Sequence, residues 1–307
     1  MIDSGNQKPS SELEPLPNWR VWWIASRPKT LSAAIAPVLV GSAVAFKEDG
    51  FLLLAALAAL LVGVLIQIGT NIYNDYADYS RGADTSERLG PLRVTQAGLM
   101  RPQIVRRAAL LTFALAGLIG LYLIWVAGWP VALIGLTAIL AGLAYTAGPW
   151  PLAYNGFGDL FTWLFFGFVA VGGTTFVQLQ RIPFLAWMGG LALGATITAL
   201  LAVNNIRDME ADRSAGRRTI PVLFGRSVGL FEVSFCLAVA YLVPFVMLLI
   251  QKQTLWYLLP LLTLPEAIRL LRFLLATQGR SLNLGLVRMA RLVLWYGVLM
   301  ALGIALS

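Results

Sequence analysis

At 307 residues, 58% hydrophobic and 12% charged, the chain is too apolar for a soluble domain of ordinary composition and carries repeated uncharged runs of membrane-spanning length. A single Cys and the lack of any His exclude a disulfide framework, a Cys-rich metal site and histidine acid–base chemistry, so any catalysis falls to Asp, Glu, Tyr, Lys, Arg or a bound ion. The net charge of +8 is not gathered into a basic domain outside the apolar runs, which argues against a nucleic-acid partner.

Residues 1–18 are polar and partly acidic, unlike a cleavable signal peptide, and read as a disordered cytoplasmic tail ahead of a single transmembrane domain over 19–307. Trp19, Trp22 and Trp23 suit an interfacial collar. Nine apolar segments follow, at 30–46, 51–73, 106–127, 129–146, 157–178, 184–206, 228–250, 255–276 and 285–306. The expected fold is therefore all-α and polytopic. With the N-terminus in the cytoplasm, all but Lys47, Arg181 and Lys252 of the 23 Lys and Arg residues fall on cytoplasmic segments. That bias predicts nine spans of a lipid bilayer with the C-terminus outside; the membrane is expected to be a bacterial cytoplasmic (inner) one.

Where the second segment surfaces, "NIYNDYADYSRGADTSERLGPL" (71–92) places Asn71, Asp75 and Asp78 along one helical stripe, with Asn74 one turn before Asp78. The end of the sixth segment repeats the grammar in "NNIRDMEADRSAGRRT" (204–219), with Asn204, Asp208 and Asp212 at i, i+4 and i+8 and Asn205 three before Asp208. Both stretches sit on the same membrane side in this topology, so they meet if the two helices face each other. Carboxylates held close together repel, and negative charge at a helix C-terminus is disfavoured. A divalent cation resolves both conflicts. Mg²⁺ takes oxygen ligands and is commonly held by one or two carboxylates plus phosphate oxygens. Arg81, Arg93, Arg207, Arg217 and Arg218 add guanidinium groups that match phosphate geometry. A diphosphate head in so oily a protein implies a long hydrocarbon tail, as in a polyprenyl diphosphate.

The plainer readings fall elsewhere. Asp84, Glu87 and Glu210 suit ordinary surface pairing with nearby Arg, worth about 0–1 kcal/mol per pair. Asp159 reads as a helix cap, and Glu232 and Glu266 as residues with packing or interfacial partners. Tyr145 and Tyr154 flank "GPWP" as interfacial aromatics, or as cavity aromatics whose ring faces stabilise an allylic cation.

Four stretches carry a resemblance: "RPKTLSAAIAPVLVG" (27–41), "NDYADYSRGAD" with "GPLR" (74–93), "YTAGPWPLAYNGFGDL" (145–160) and "NNIRDMEADRSAGRRTIPVLFG" (204–225). The chain resembles the UbiA superfamily of intramembrane aromatic prenyltransferases, and within it the branch acting on 1,4-dihydroxy-2-naphthoate in menaquinone synthesis. The first motif departs from the usual superfamily spacing, with Gly82 in place of its last Asp and Asp84 the next acid. The resemblance implies a nine-helix bundle around a central cavity opening near the cytoplasmic face. It also implies transfer of the prenyl group to the naphthoate with loss of diphosphate and CO2. On that reading Asp75, Asp78, Asp208 and Asp212 hold Mg²⁺ and, with Tyr145, carry catalysis, while Asn71, Asn74, Arg81, Asn204, Asn205, Arg217, Arg218 and Tyr154 bind substrate. The rival readings are a related enzyme for 4-hydroxybenzoate, homogentisate or a porphyrin ring, and a cation-coupled transporter using the same carboxylates.

Overall fold

A computed structural model describes residues 16–82, 89–252 and 254–307. Most of the tail, with Asp84, Glu87 and Arg88, therefore lies outside the described residues. Every regular element among the described residues is helical. Seven helices are long and apolar enough to cross a membrane.

Helix α1 (Asn18–Ser26) runs through a 3-10 turn (Pro28–Thr30) and a 52° bend into α2 (Ser32–Lys47). The turn is made at Arg27, which takes a left-handed φ of 51° ahead of Pro28. Of the three tryptophans, Trp19 and Trp23 are exposed, whereas Trp22 packs inward on Ile72, Val94 and Val105. Helix α3 (Leu53–Ser80) continues two turns past the end expected from hydropathy. Its 28 residues span about 42 Å, against about 30 Å of hydrocarbon. The surplus carries the first acidic stretch as ordered helix.

Helices α4 (Pro102–Ala127) and α5 (Trp129–Thr146) are joined by Gly128 alone, at a φ of 83° that only glycine adopts readily. Helix α6 (Gly158–Thr162), a π-helical stretch (Trp163–Val169) and α7 (Ala170–Leu179) form one continuous span. Gly167 in the π stretch lies against the backbone of Gly190 and Gly194 on α8 (Phe184–Arg207), an approach a side chain would block. Two short helices follow, α9 (Met209–Ser214) and α10 (Ile220–Phe224), then α11 (Arg226–Gln251). A 3-10 stretch (Leu255–Thr263) leads into α12 (Leu264–Ala276), and α13 (Leu282–Ala305) ends the fold.

The expected count of nine spans is not reached by length and apolarity. The bent pair around Arg27 makes at most an eighth candidate. The 255–276 segment is split, because Pro260 and Pro265 interrupt α-helical bonding and Thr263 bonds the Pro260 carbonyl. Helices α2, α8, α11 and α13 share a dry core that includes Val40, Leu193, Val233, Met289 and Tyr296. Close approach at Gly297 against Ala36 locks α13 to α2. On the other side of α2 and α8, helices α3, α4, α5 and α7 wall a cavity.

Candidate active site

The cavity has a volume of about 1170 Å³ and two chemically distinct ends. One is apolar, walled by residues such as Val62, Leu123, Ile124, Val131 and Ile134; the other gathers Asn71, Asn74, Asp78, Arg93, Asn204, Asn205, Arg207 and Arg217. A ligand with a long hydrocarbon and an anionic head matches both ends.

The stripe expected on α3 is present and buried: Asn71, Asn74, Asp75 and Asp78 are each at most 9% exposed. They do different things. Asp75 accepts backbone N–H bonds from Val94 and Thr95, both at 3.0 Å, and so ties the following loop back onto α3. Asp78 accepts from Arg93 Nη2 at 2.6 Å through one oxygen, and from Arg217 Nη2 at 2.6 Å and Tyr154 Oη at 3.2 Å through the other. Asn74 accepts from Thr146 of α5, and Asn71 donates to Ser26 O and Thr30 Oγ1 in the turn after α1.

Arg217 joins the two acidic stretches. It bonds Asp78 and also lies 3.4 Å from Asp212 Oδ1. Burial alone would lower the pKa of this guanidinium, but Asp78 and then Asp212 outweigh it and hold it above its ordinary value. Arg217 also stacks over Tyr154, as does Arg81, with centroid distances of 4.7 and 5.4 Å. Burial raises the Tyr154 phenol above its ordinary value; Arg217 opposes the shift and Asp78 adds to it. Tyr154 therefore remains a neutral donor at physiological pH. Asp208 is gripped by its neighbour Arg207 at 2.8 and 2.5 Å, while Arg207 also donates to Asn204 Oδ1 at 2.8 Å and Asn283 Oδ1 at 3.0 Å. These pairs are nearly waterless, so removing one partner of such a pair typically costs about 3–5 kcal/mol. The exposed Glu210–Arg213 pair falls in the range of about 0–1 kcal/mol.

Other expected residues lie differently. Tyr145 lines the cavity and its hydroxyl makes no hydrogen bond among the described residues. Arg81 donates to Gly148 O at 2.6 Å on an exposed surface. The Arg218 side chain is exposed as well, and its backbone N–H donates to Tyr154 O. Asp159 is not a helix cap, since Phe157 holds that position; it is buried on the cavity wall and accepts from Asn205 Nδ2 at 3.3 Å. Glu266 pairs with Arg288 at 2.8 Å, away from the cavity lining. Sequence reasoning passed over Asn283, which donates to Leu89 O at 2.9 Å and so joins α13 to the loop after α3. It also passed over Lys29 as a wall residue of the cavity. An uncompensated Asn at the head of an apolar helix was the available signal for Asn283.

All the candidate metal donors are hard oxygens, the type Mg²⁺ prefers. Among the described residues no three acidic side chains converge closely enough to enclose a metal alone. The set fits an ion held by one or two carboxylates with the remaining ligands from a phosphate or water, and does not fit an all-protein cage.

A sequence model described as the UbiA prenyltransferase family matches residues 34–284. The chain is 34% identical to the 1,4-dihydroxy-2-naphthoate octaprenyltransferase of Escherichia coli over 94% of this chain and 96% of that one. It is 30% identical to the enzyme of the same description from Bacillus subtilis over 94% and 93%, and 37% identical to that of Mycobacterium tuberculosis over 81% and 84%. Its fold matches a UbiA homologue from Aeropyrum pernix at a TM-score of 0.67 and 17% identity, covering 89% of this chain and 97% of that one. An Archaeoglobus fulgidus UbiA homologue bound to DMAPP and Mg²⁺ matches at 0.63 and 15% identity, covering 91% and 98%.

Proposed function

Because the chain belongs to the UbiA prenyltransferase family and is a multi-pass membrane protein, we propose that it transfers a polyprenyl group from its diphosphate to 1,4-dihydroxy-2-naphthoate. Diphosphate and CO2 are released, and the product is a demethylmenaquinol of menaquinone biosynthesis. The observation that carries this reading is the Asp78–Arg217 pair at the polar end of an otherwise oily cavity, with Asp212 of the second acidic stretch 3.4 Å from Arg217. Relatives described as naphthoate octaprenyltransferases support the choice of acceptor.

Asp75 and Asp78 on one stretch and Asp208 and Asp212 on the other would each hold one Mg²⁺, no more than two carboxylates to an ion, jointly with the diphosphate. Bound there, Mg²⁺ would neutralise the charge that grows on the departing diphosphate. Arg217 turns from Asp78 towards the diphosphate oxygens, keeping a charge-assisted bond throughout, and Arg81 and Arg218 supply further positive charge at the rim. Asn71, Asn74, Asn204 and Asn205 orient the head group, Tyr154 donates to it, and the Tyr145 ring faces the allylic cation. The apolar wall excludes water, which protects that cation from hydrolysis. No covalent enzyme intermediate is required.

Residues 19–307 act as one transmembrane unit behind a cytoplasmic tail, and the polar end of the cavity opens near the cytoplasmic face of the bacterial inner membrane. On this reading Leu255–Thr263 and α12 serve as a ninth crossing, which their combined 3-10 and α-helical rise of about 37 Å supports, and the C-terminus lies outside. The testing experiment supplies purified protein in lipid with Mg²⁺, one labelled polyprenyl diphosphate and a panel of acceptors. Prenylated, decarboxylated naphthoate is expected. A product with 4-hydroxybenzoate, homogentisate or a porphyrin alone would replace the acceptor, and transmembrane flux without covalent product would replace the enzyme by a transporter.

A further inference from the structure

An electron-rich ring attacking an allylic cation gains nucleophilicity when a ring hydroxyl loses its proton as the bond forms. Something in the cavity must take that proton, and the chain has no His. Asp159 stands where such a group is needed. It is 8% exposed, lies on the cavity wall, and shares its helix with none of the metal-binding acids. Its carboxylate accepts from Asn205 at 3.3 Å. Tyr145 lies beside it: a methyl group built on the adjacent Gly158 would meet the Tyr145 hydroxyl oxygen at 3.3 Å.

We propose that Asp159 carries the proton of the acceptor hydroxyl during prenyl transfer. The inference rests on the prenyl-transfer reading above. As the ring carbon bearing the carboxylate bonds to the allylic carbon, the neighbouring O–H bond breaks; its electron pair becomes the second bond of a ketone, and the proton passes to Asp159. The diphosphate has already left with the electron pair of the broken C–O bond. The resulting β-keto carboxylate then loses CO2, its carbon–carbon bond pair returns to the ring as an enolate, and the enolate oxygen takes the proton back from Asp159. No net proton is consumed or released, so a carboxyl sealed from bulk water can serve every turnover.

The test compares the wild-type protein and Asp159→Asn in lipid with Mg²⁺, using two acceptors: the naphthoate itself and an analogue with an electron-withdrawing ring substituent whose hydroxyl is already ionised at the assay pH. With the naphthoate, Asp159→Asn is expected to lower kcat at least about 100-fold while the KM for the prenyl diphosphate holds. With the pre-ionised analogue the ratio of wild-type to variant rate shrinks at least about tenfold, because no base is needed. An equal deficit with both acceptors, or naphthoate turnover by the variant at the wild-type rate, overturns the proposal. If Asp159→Asn does not accumulate in membranes, Asp159→Ser is read in the same two-acceptor comparison. Wild-type protein that prenylates neither acceptor overturns the functional reading itself, a failure visible without any variant.

Discussion

Arg217 Nη2 stands 2.6 Å from Asp78 Oδ1 across 139 residues of sequence. Through this contact the end of α3 meets the loop that follows α9. The guanidinium keeps two like-charged stretches apart in electrostatic terms while holding them together in space. Its replacement by Lys retains the charge and loses the planar fork. Arg217→Lys is expected to raise the KM for the prenyl diphosphate about tenfold, equivalent to about 1.4 kcal/mol, with a smaller effect on the KM for the aromatic acceptor. Steady-state kinetics with each substrate varied in turn checks this.

Asp75 and Asp78 are held by different partners, backbone N–H groups for one and guanidinium groups for the other. Asp78→Asn is expected to insert normally and to lose prenyl transfer by about 100-fold or more. Asp75→Ala removes the acceptor of two buried backbone N–H groups, at about 1–3 kcal/mol for each group left unsatisfied. It therefore loses both activity and thermal stability. Melting curves in detergent alongside the transfer assay check this, and an Asp75→Ala melting temperature equal to that of the wild type would contradict the anchoring role given to Asp75.

Chelation with excess EDTA is expected to stop prenyl transfer, and added Mg²⁺ to restore it. The donor set is oxygen-only and incomplete without a ligand's phosphate. Metal affinity measured by titration should therefore rise when an unreactive prenyl diphosphate analogue is present, and affinity unchanged by the analogue would argue for a different site.

Gly120 of α4 lines the apolar end of the cavity, and a Cβ placed there meets nothing within 4 Å. Gly120→Leu should fold, because the added side chain enters open space. It should shorten the longest prenyl chain accepted while leaving a short allylic diphosphate turning over near the wild-type rate. A ladder of prenyl diphosphates of increasing length measures this.

Much of the site was legible in local spacing. Asn71, Asp75 and Asp78 needed only helical periodicity to be placed on one face, and the same grammar at Asn204, Asp208 and Asp212 identified the partner stretch. Hydropathy located every apolar segment, yet it ended the second at 73, because Asp75 and Asp78 are polar residues whose helical state depends on distant partners, Val94, Thr95 and Arg93. The division of labour between the acids was hidden for the same reason. Asp159 looked like a cap from its place after "YNGFG", and only the arrival of Asn205 from α8 gives it another role. The broken 255–276 segment shows the converse: its apolar count was sound, but Pro260 and Pro265 decide its backbone.

Asn283 clasps the Leu89 carbonyl with its amide nitrogen and the Arg207 guanidinium with its oxygen. Both acidic stretches are synthesised long before this residue leaves the ribosome. Until the final helix docks, Arg207 lacks one of its acceptors and the loop after α3 lacks its anchor. The nascent chain thus reaches a finished catalytic end only at the close of translation, which delays any cleavage of scarce prenyl donors until the surrounding barrel of helices can shelter the cation.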